Sequence, residues 1–251
     1  MIENPYPAKW EELQDGVCRI LNEIGLKAEV GKTLSTARGK VEIDVYAVDE
    51  NSVDKIRYLV ECKNWLTAVP QSVVHSFTTV MHEAGGNIGY IISQRGLQTG
   101  AAEYTRNTNI VGLTYEEFQR KYFSAWHERF FVRQIGDTVD SLTQYVEPIN
   151  SRRGRHIDQL SKEKRAEYHA LLERYFAFGM SMACFEFPRY MPEFAIAVPE
   201  DIEKVKDKLA ELGDEYKFTS QYFRDLLTEI GQKVTEVTMK FDDVFGRNIF
   251  A

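Results

Sequence analysis

The sequence predicts an α/β protein: a mixed central sheet flanked by helices over residues 1–120, followed by a mainly α-helical module over residues 121–251. Between residues 39 and 63, two short runs alternate apolar and polar side chains with the period of a half-buried strand. Beyond residue 63, strand-like runs alternate with helical segments, which favours an α/β sandwich. In the second half, apolar and aromatic residues recur at helical spacing.

The composition indicates a folded protein without a basic nucleic-acid footprint. The chain has 251 residues, 43% of them hydrophobic, and a net charge of −7, enough for one large domain or two modest ones. Residues 1–120 hold 12 Lys and Arg against 16 Asp and Glu, so no basic domain is hidden in the total. A tight nucleic-acid binder usually shows such a footprint. Affinity for DNA would therefore come from a local basic strip, a metal, oligomerisation or a partner subunit.

The N-terminus and the cysteines indicate a cytoplasmic protein. No apolar run approaches the length of about 20 residues that spans a bilayer, and the first residues lack the features of a signal peptide. The three cysteines, Cys18, Cys62 and Cys184, are widely spaced and odd in number. They fit buried thiols in a reducing cytoplasm better than a zinc site or a disulfide framework. We expect no membrane partner.

Periodicity and turn residues predict the order of the elements. The first half is predicted as helix 7–24, strand 27–33, polar loop 35–40, strand 40–48, turn 49–52, strand 57–63, helix 70–84, strand 88–93, helix 99–108, strand 109–113 and a capped helix from Thr114. The second half is predicted as helical 115–145, a basic linker 147–156, helix 161–186, an aromatic loop 187–199 and helical segments 199–212 and 220–245, in which 233–241 alternates enough to be a strand.

The predicted catalytic residues are Asp44, Glu61 and Lys63. Side chains alternate along a strand, so Glu61 and Lys63 share a face, and the preceding hairpin brings Asp44 beside them. Carboxylates of this kind hold Mg²⁺, with Mn²⁺ as a substitute, and the main-chain carbonyl of Cys62 is a further candidate ligand. A lysine there can orient water or stabilise developing negative charge. From the residues alone, an ion pair on a solvated strand remains an equal alternative.

Four segments of the sequence resemble a known family: LQDGVCRILNEIG (13–25), GKVEIDVYA (39–47), YLVECKNW (58–65) and residues 73–118. They resemble the Mrr-like (type IV) restriction endonucleases of the PD-(D/E)xK nuclease superfamily. The resemblance implies a restriction-endonuclease-like core and a metal-dependent DNA endonuclease in bacterial, antiviral defence. It also assigns metal binding and catalysis to Asp44, Glu61 and Lys63. The first helix of the family often carries a glutamate, whereas Gln14 stands at the best-matching position here, with Glu11 one turn earlier.

Six residues are candidate substrate contacts. Arg38 and Lys40 lie in the predicted polar loop, where they could meet a phosphate or serve as ordinary surface charge. Ser93 ends a predicted buried strand and Arg95 follows it, at the strand end where open α/β sheets bind ligands, so both are candidates for backbone contacts. The remaining two are implied by the resemblance, namely Gln14 and His75, the latter on a helix that lines the active-site cleft in the family.

Two other functions remain open from the sequence. The first is a non-cleaving subunit that keeps the nuclease fold and binds DNA or a protein partner. The second is a structure-specific junction nuclease with the same catalytic residues. We expect DNA as the partner and a homodimer as the assembly, with residues 121–251 serving dimerisation or the docking of a partner subunit.

Overall fold

The computed structural model describes residues 1–186 and 201–251. The chain divides into two compact units, Met1–Arg129 and Phe130–Ala251. Within the described ranges, no helix is both long enough and apolar enough to cross a membrane.

The first unit, all of whose residues are described, contains one five-stranded sheet with strand order β1-β2-β3-β4-β5. The first three strands are antiparallel neighbours, and the last three are parallel neighbours. The predicted mixed sheet is therefore confirmed. The strands are β1 (Lys27–Thr36), β2 (Gly39–Val48), β3 (Arg57–Lys63), β4 (Ile88–Ser93) and β5 (Ile110–Thr114).

Helices cover the sheet of the first unit: α1 (Trp10–Glu23), α2 (Gln71–Glu83), α3 (Thr99–Thr105) and α4 (Tyr115–Trp126). Parallel neighbours require crossover connections, and α2 and α3 provide them between β3, β4 and β5. Leu59 and Ile91 of the sheet belong to one buried cluster with Phe77 of α2. The predicted capping box at Thr114 is confirmed, since the Glu117 carboxylate accepts the Thr114 N–H at 2.7 Å and the Thr114 hydroxyl accepts the Glu117 N–H at 3.1 Å.

The polar loop predicted at residues 35–40 is wrong. β1 extends to Thr36 and pairs with β2 from Gly39 onward, so only Ala37 and Arg38 form the turn. Gly39 has φ 124°, a conformation that glycine adopts without strain. Polar residues continue the strand because β1 is the edge of the sheet and exposes most of its side chains.

The second unit is helical in its described part, as predicted. The element at residues 233–241 is helical, not a strand, because Ile230, Val234, Val237 and Phe241 recur at helical spacing and are all buried. The predicted aromatic loop at 187–199 lies outside the described residues. The helices are α5 (Val132–Val146), α6 (Ser151–Asp158), α7 (Lys162–Ala183), α8 (Ile202–Ala210) and α9 (Phe223–Phe245), with 3₁₀ turns at Cys184–Glu186 and Asp214–Tyr216. A π-helix at His127–Phe131 contains the division between the two units, after Arg129.

The basic linker predicted at residues 147–156 is also wrong, because α6 begins there. The Asn150 side chain caps this helix by accepting the Arg153 N–H at 2.8 Å. The Arg153 guanidinium is buried and donates to the main-chain oxygens of Gln144 at 2.9 Å and Glu147 at 2.6 Å. It thereby satisfies carbonyls left open at the end of α5.

We expect Arg153→Ala to lower the free energy of unfolding by about 3 kcal/mol, because two charge-assisted hydrogen bonds to partly buried carbonyls are lost. Arg152→Ala is the matched control, since Arg152 is exposed and makes only long hydrogen bonds of 3.3 and 3.5 Å to the last two residues. Urea denaturation measures both variants. Equal, small losses would contradict a capping role for Arg153.

Candidate active site

The strands β2 and β3 part at Asp44. Their ladder ends with Val45 opposite Val60, and the same register sets Asp44 opposite Glu61. Beyond that point, Asp44 Oδ2 accepts the main-chain N–H of Cys62 at 2.7 Å. The carboxylate therefore takes the place of a ladder hydrogen bond and is held beside the next strand. The structure brings Asp44 and Glu61 together as the alternation pattern predicts.

Glu61 and Lys63 lie on one face of β3 and form an ion pair. Their side chains are only 26% and 23% exposed, so the pair is partly withdrawn from water yet still reachable. A charge pair at this depth is less screened than one on an open surface. The site thus presents two carboxylates and one ammonium group at the point where β2 and β3 part.

Burial raises the pKa of Asp44 above its usual value, and the charge of Glu61 raises it further. The Cys62 N–H, Lys63 and a hydrogen bond from the Gln14 side chain oppose this shift. Two carboxylates facing one ammonium group leave the site with excess negative charge. Such a site favours binding of a cation.

The helix α1 supplies two side chains to the site. Gln14 is buried and hydrogen-bonds Asp44, whereas Glu11, one turn earlier, is exposed. The Trp10 indole donates its Nε1–H to the Cys62 carbonyl oxygen at 2.9 Å. These contacts are possible because Leu13 and Val17 bury the apolar face of α1. The position where the family often has a carboxylate therefore carries a neutral amide in contact with Asp44.

The donor set fits a hard divalent cation. Mg²⁺ needs only one or two protein carboxylates because it keeps several waters, and Asp44 and Glu61 supply two. Within the described ranges, no group of three or more His, Cys, Asp and Glu side chains gathers as a metal cluster. Of the three cysteines predicted to be buried, Cys62 is buried, Cys18 is partly exposed and Cys184 is exposed. Burial raises the pKa of the Cys62 thiol well above its usual value, so a thiolate is not available. Its carbonyl oxygen accepts one hydrogen bond from Trp10 and has a second lone pair, so its role as a ligand stays a prediction.

Three of the predicted substrate contacts are exposed side chains. Arg38 pairs with Glu83 at 2.7 Å, and Lys40 lies near the start of β2. His75 packs its ring against Tyr104, with centroids 4.5 Å apart. No contact described in the first unit joins these three side chains to Asp44, Glu61 or Lys63. Their roles stay predictions.

Two more of the six predicted contacts lie at the end of β4 and in the loop that follows it, namely Ser93 and Arg95. Ser93 pairs with Lys63 in the parallel ladder, but its side chain is fully buried and its hydroxyl donates to the Gly96 carbonyl at 3.2 Å. The hydroxyl therefore shapes the strand end. Arg95 is exposed two residues further on.

The sequence did not predict a hydrogen-bond network that holds the ends of β3 and β4 beside each other. The Pro7 carbonyl accepts hydrogen bonds from Asn64 Nδ2 at 3.2 Å and from Gln94 Nε2 at 3.2 Å. Gln94 Nε2 also donates to Asn64 Oδ1 at 2.6 Å. The positions of these residues in the sequence could have indicated the network. Asn64 directly follows Lys63 and Gln94 directly follows Ser93, and these two residues end the parallel strands β3 and β4. Trp10 was also missed, because nothing in its local pattern distinguishes it from a core tryptophan.

Comparison with known families identifies the domain that contains this site. Residues 7–121 match the sequence model of the Mrr_cat family, described as "Restriction endonuclease". These residues form a restriction-endonuclease domain of the Mrr type. The domain lies within the first unit and contains Asp44, Glu61 and Lys63. The Mrr domain is a nuclease domain, with the mixed sheet and flanking helices that this fold requires.

No curated protein matches the chain. A solved structure titled "Crystal Structure of Protein of Unknown Function AF1548" is similar at 16% identity with a TM-score of 0.39, over 97% of this chain and 99% of that chain.

Proposed function

We propose that the Mrr domain is a metal-dependent DNA endonuclease that hydrolyses phosphodiester bonds. The observation that supports it is the convergence of Asp44, Glu61 and Lys63 at the point where β2 and β3 part, inside an Mrr domain. Asp44 and Glu61 hold Mg²⁺, for which Mn²⁺ substitutes. The proposed role of the enzyme is bacterial defence against foreign DNA, and the second unit serves dimerisation or the docking of a partner.

Each residue has a distinct task in this proposal. The Cys62 N–H and the Gln14 amide fix the Asp44 carboxylate in one orientation. The Lys63 ammonium has three donors, of which the ion pair with Glu61 uses one. The remaining donors orient the attacking water or stabilise negative charge on the phosphate. When bound, Mg²⁺ supplies charge neutralisation and lowers the pKa of a coordinated water.

The test is cleavage of supercoiled plasmid by the full chain in Mg²⁺, Mn²⁺ or EDTA, with a single-stranded RNA of similar length as a comparison substrate. We expect nicked and linear DNA in either metal and none in EDTA. Cleavage that persists in EDTA would contradict the metal dependence, and preferential cleavage of RNA would contradict the DNA assignment. Plaque counts on cells that express the chain, compared with cells that do not, test the defence role.

One observation favours a second candidate, a non-cleaving subunit with the nuclease fold. Gln14 places a neutral amide against Asp44, where the family often carries a carboxylate. With one negative charge fewer, the site would bind a divalent cation more weakly. A Mn²⁺ titration distinguishes the two candidates, because the proposed enzyme binds Mn²⁺ in the wild-type chain.

We expect Gln14→Glu to tighten Mn²⁺ binding by about tenfold, because a third carboxylate adds charge to a partly desolvated site. Glu11→Gln is the matched control, since Glu11 is exposed on the same helix and its loss should leave the affinity unchanged. Isothermal titration of the three proteins measures the effect. An equal or larger change in the Glu11 variant would place the extra ligand at Glu11.

A further inference from the structure

Two indoles stand exposed beside the candidate catalytic residues. Trp10 and Trp65 are 43% and 41% exposed, whereas Trp126, the third tryptophan of the chain, is fully buried. Tryptophan carries the largest apolar surface of any side chain and is usually well covered. A pair of exposed indoles at a nuclease site therefore calls for a functional reason.

Both tryptophans contact the strand that carries Glu61 and Lys63, Trp10 through its indole and Trp65 through its main chain. Trp10 Nε1 donates to the Cys62 carbonyl at 2.9 Å. The main-chain N–H of Trp65 donates to the Lys63 carbonyl at 2.7 Å, which makes a tight turn directly after β3. Lys63 Nζ lies 5.7 Å from the centroid of the Trp65 ring. An aromatic face thus lies next to the ammonium group that the proposed function aims at the phosphate.

The charge balance of the domain indicates what this aromatic face could contribute to DNA binding. Acidic residues outnumber basic ones in residues 1–120, and Lys63, the cation of the site, is already paired with Glu61. Attraction to the phosphate backbone is therefore weak. Stacking of bases on aromatic side chains supplies affinity that does not depend on net charge and that tolerates any sequence.

We propose that Trp65, together with Trp10, forms a stacking surface for the base of an unpaired nucleotide, and that the domain binds single-stranded or locally unpaired DNA in preference to intact duplex. Base faces inside a duplex are covered by their neighbours, so only an unpaired nucleotide offers its face to an indole. The inference rests on the proposed function for the position of the phosphate, next to Lys63. It adds the class of substrate that the site selects.

The test measures binding by the full chain with Ca²⁺ in place of Mg²⁺, to keep the DNA uncleaved. The probes are a thymidine 15-mer, a mixed-sequence duplex and the same duplex with a central unpaired bubble. We expect the 15-mer to quench the tryptophan fluorescence of the wild type. Trp65→Ala weakens binding to the 15-mer and the bubble by about tenfold or more and changes duplex binding by less than about twofold. Tighter binding to the bubble than to the 15-mer would show that the domain prefers an unpaired nucleotide within a duplex to a free single strand.

Two further variants isolate stacking from simple apolar contact. Trp65→Phe keeps an aromatic face and should retain most of the preference for unpaired DNA. Leu66→Ala is the matched control, because Leu66 is the adjacent residue, is 76% exposed and has no aromatic face. We expect its binding to equal that of the wild type. A loss in Leu66→Ala as large as that in Trp65→Ala would overturn the proposal.

Cleavage kinetics separate this inference from the proposed function. Trp65→Ala should raise KM on single-stranded DNA and leave kcat within a few-fold. A fall in kcat on every substrate would instead make Trp65 a positioning residue for Lys63 and overturn the stacking surface. Equal weakening on duplex and single strand, or none, would overturn it even if metal-dependent cleavage is intact. Binding through Trp65 without any cleavage in Mg²⁺ or Mn²⁺ would support the stacking surface and refute the hydrolytic function.

Discussion

Lys63→Met is expected to lower kcat for plasmid cleavage by at least about 100-fold, because removal of one group that stabilises transition-state charge typically costs that much. Methionine keeps the unbranched apolar stem and removes the ammonium group. Glu61 then loses its ion-pair partner, so the carboxylates of the site face each other without compensation. Tighter binding of a divalent cation should accompany the loss of activity.

The control for this variant is Lys27→Met. Lys27 also lies in a strand and pairs with a glutamate, Glu50 at 3.2 Å, but its side chain is 74% exposed and outside the site. Such surface pairs contribute little, and we expect wild-type cleavage. Circular dichroism verifies that both variants fold. Lys63→Met with wild-type kcat would refute the role of the ammonium group.

Asp44→Asn is expected to reduce cleavage by at least about 1000-fold and, in EDTA, to raise the Tm of the protein. Asparagine keeps the oxygen that accepts the Cys62 N–H but no longer offers a charged ligand to a metal. Burial and Glu61 raise the pKa of Asp44, so the ionised carboxylate destabilises the fold at neutral pH. Activity and stability should therefore change in opposite directions, as is typical of functional sites.

The expected gain in Tm of Asp44→Asn should depend on pH. Because the pKa of Asp44 is raised in the folded state, the folded protein holds this proton more tightly than the unfolded chain. The stabilisation is complete below the usual aspartate pKa and is lost as the pH rises through the raised value. In EDTA, the Tm difference between Asp44→Asn and wild type should therefore be small at acidic pH and grow towards neutral pH. A Tm difference that stays constant over this pH range would contradict the raised pKa of Asp44.

We expect Mn²⁺ to make the wild type more stable to heat than Asp44→Asn, the reverse of the order in EDTA. If Asp44 holds the metal as proposed, Mn²⁺ stabilises the folded wild type by mass action, whereas Asp44→Asn lacks this ligand and should gain little. Thermal melts across a Mn²⁺ series measure this difference. Equal Mn²⁺ stabilisation of both proteins would show that Asp44 does not hold the metal.

The adjacency of Asp44 and Glu61 could be predicted from sequence because it depends only on local geometry. Strand alternation fixes which side chains share a face, and a short polar turn fixes that β2 returns alongside β3. The same local rules gave the strand at 88–93 and the capping box at Thr114.

The contacts of α1 with the site could not be predicted, because they depend on how a helix is rotated and placed against the sheet. The spacing of Trp10 predicts a core residue. In the structure its side chain is exposed, and its indole N–H donates to the Cys62 carbonyl. Gln14 is identified as the match to a family glutamate, but its burial against Asp44 is a tertiary property. Arg153 shows the same limit, since a basic run indicates solvent exposure until a helix end provides carbonyls for it.

The most direct test of the catalytic site is the rate of plasmid nicking by Glu61→Gln in saturating Mg²⁺, relative to wild type. Glutamine matches the size of Glu61 and removes only its charge, so folding should be unaffected. We predict a rate at least about 1000-fold below wild type, because the change removes a proposed metal ligand and the ion-pair partner of Lys63 together. Nicking at the wild-type rate would show that Asp44, Glu61 and Lys63 do not form the catalytic site.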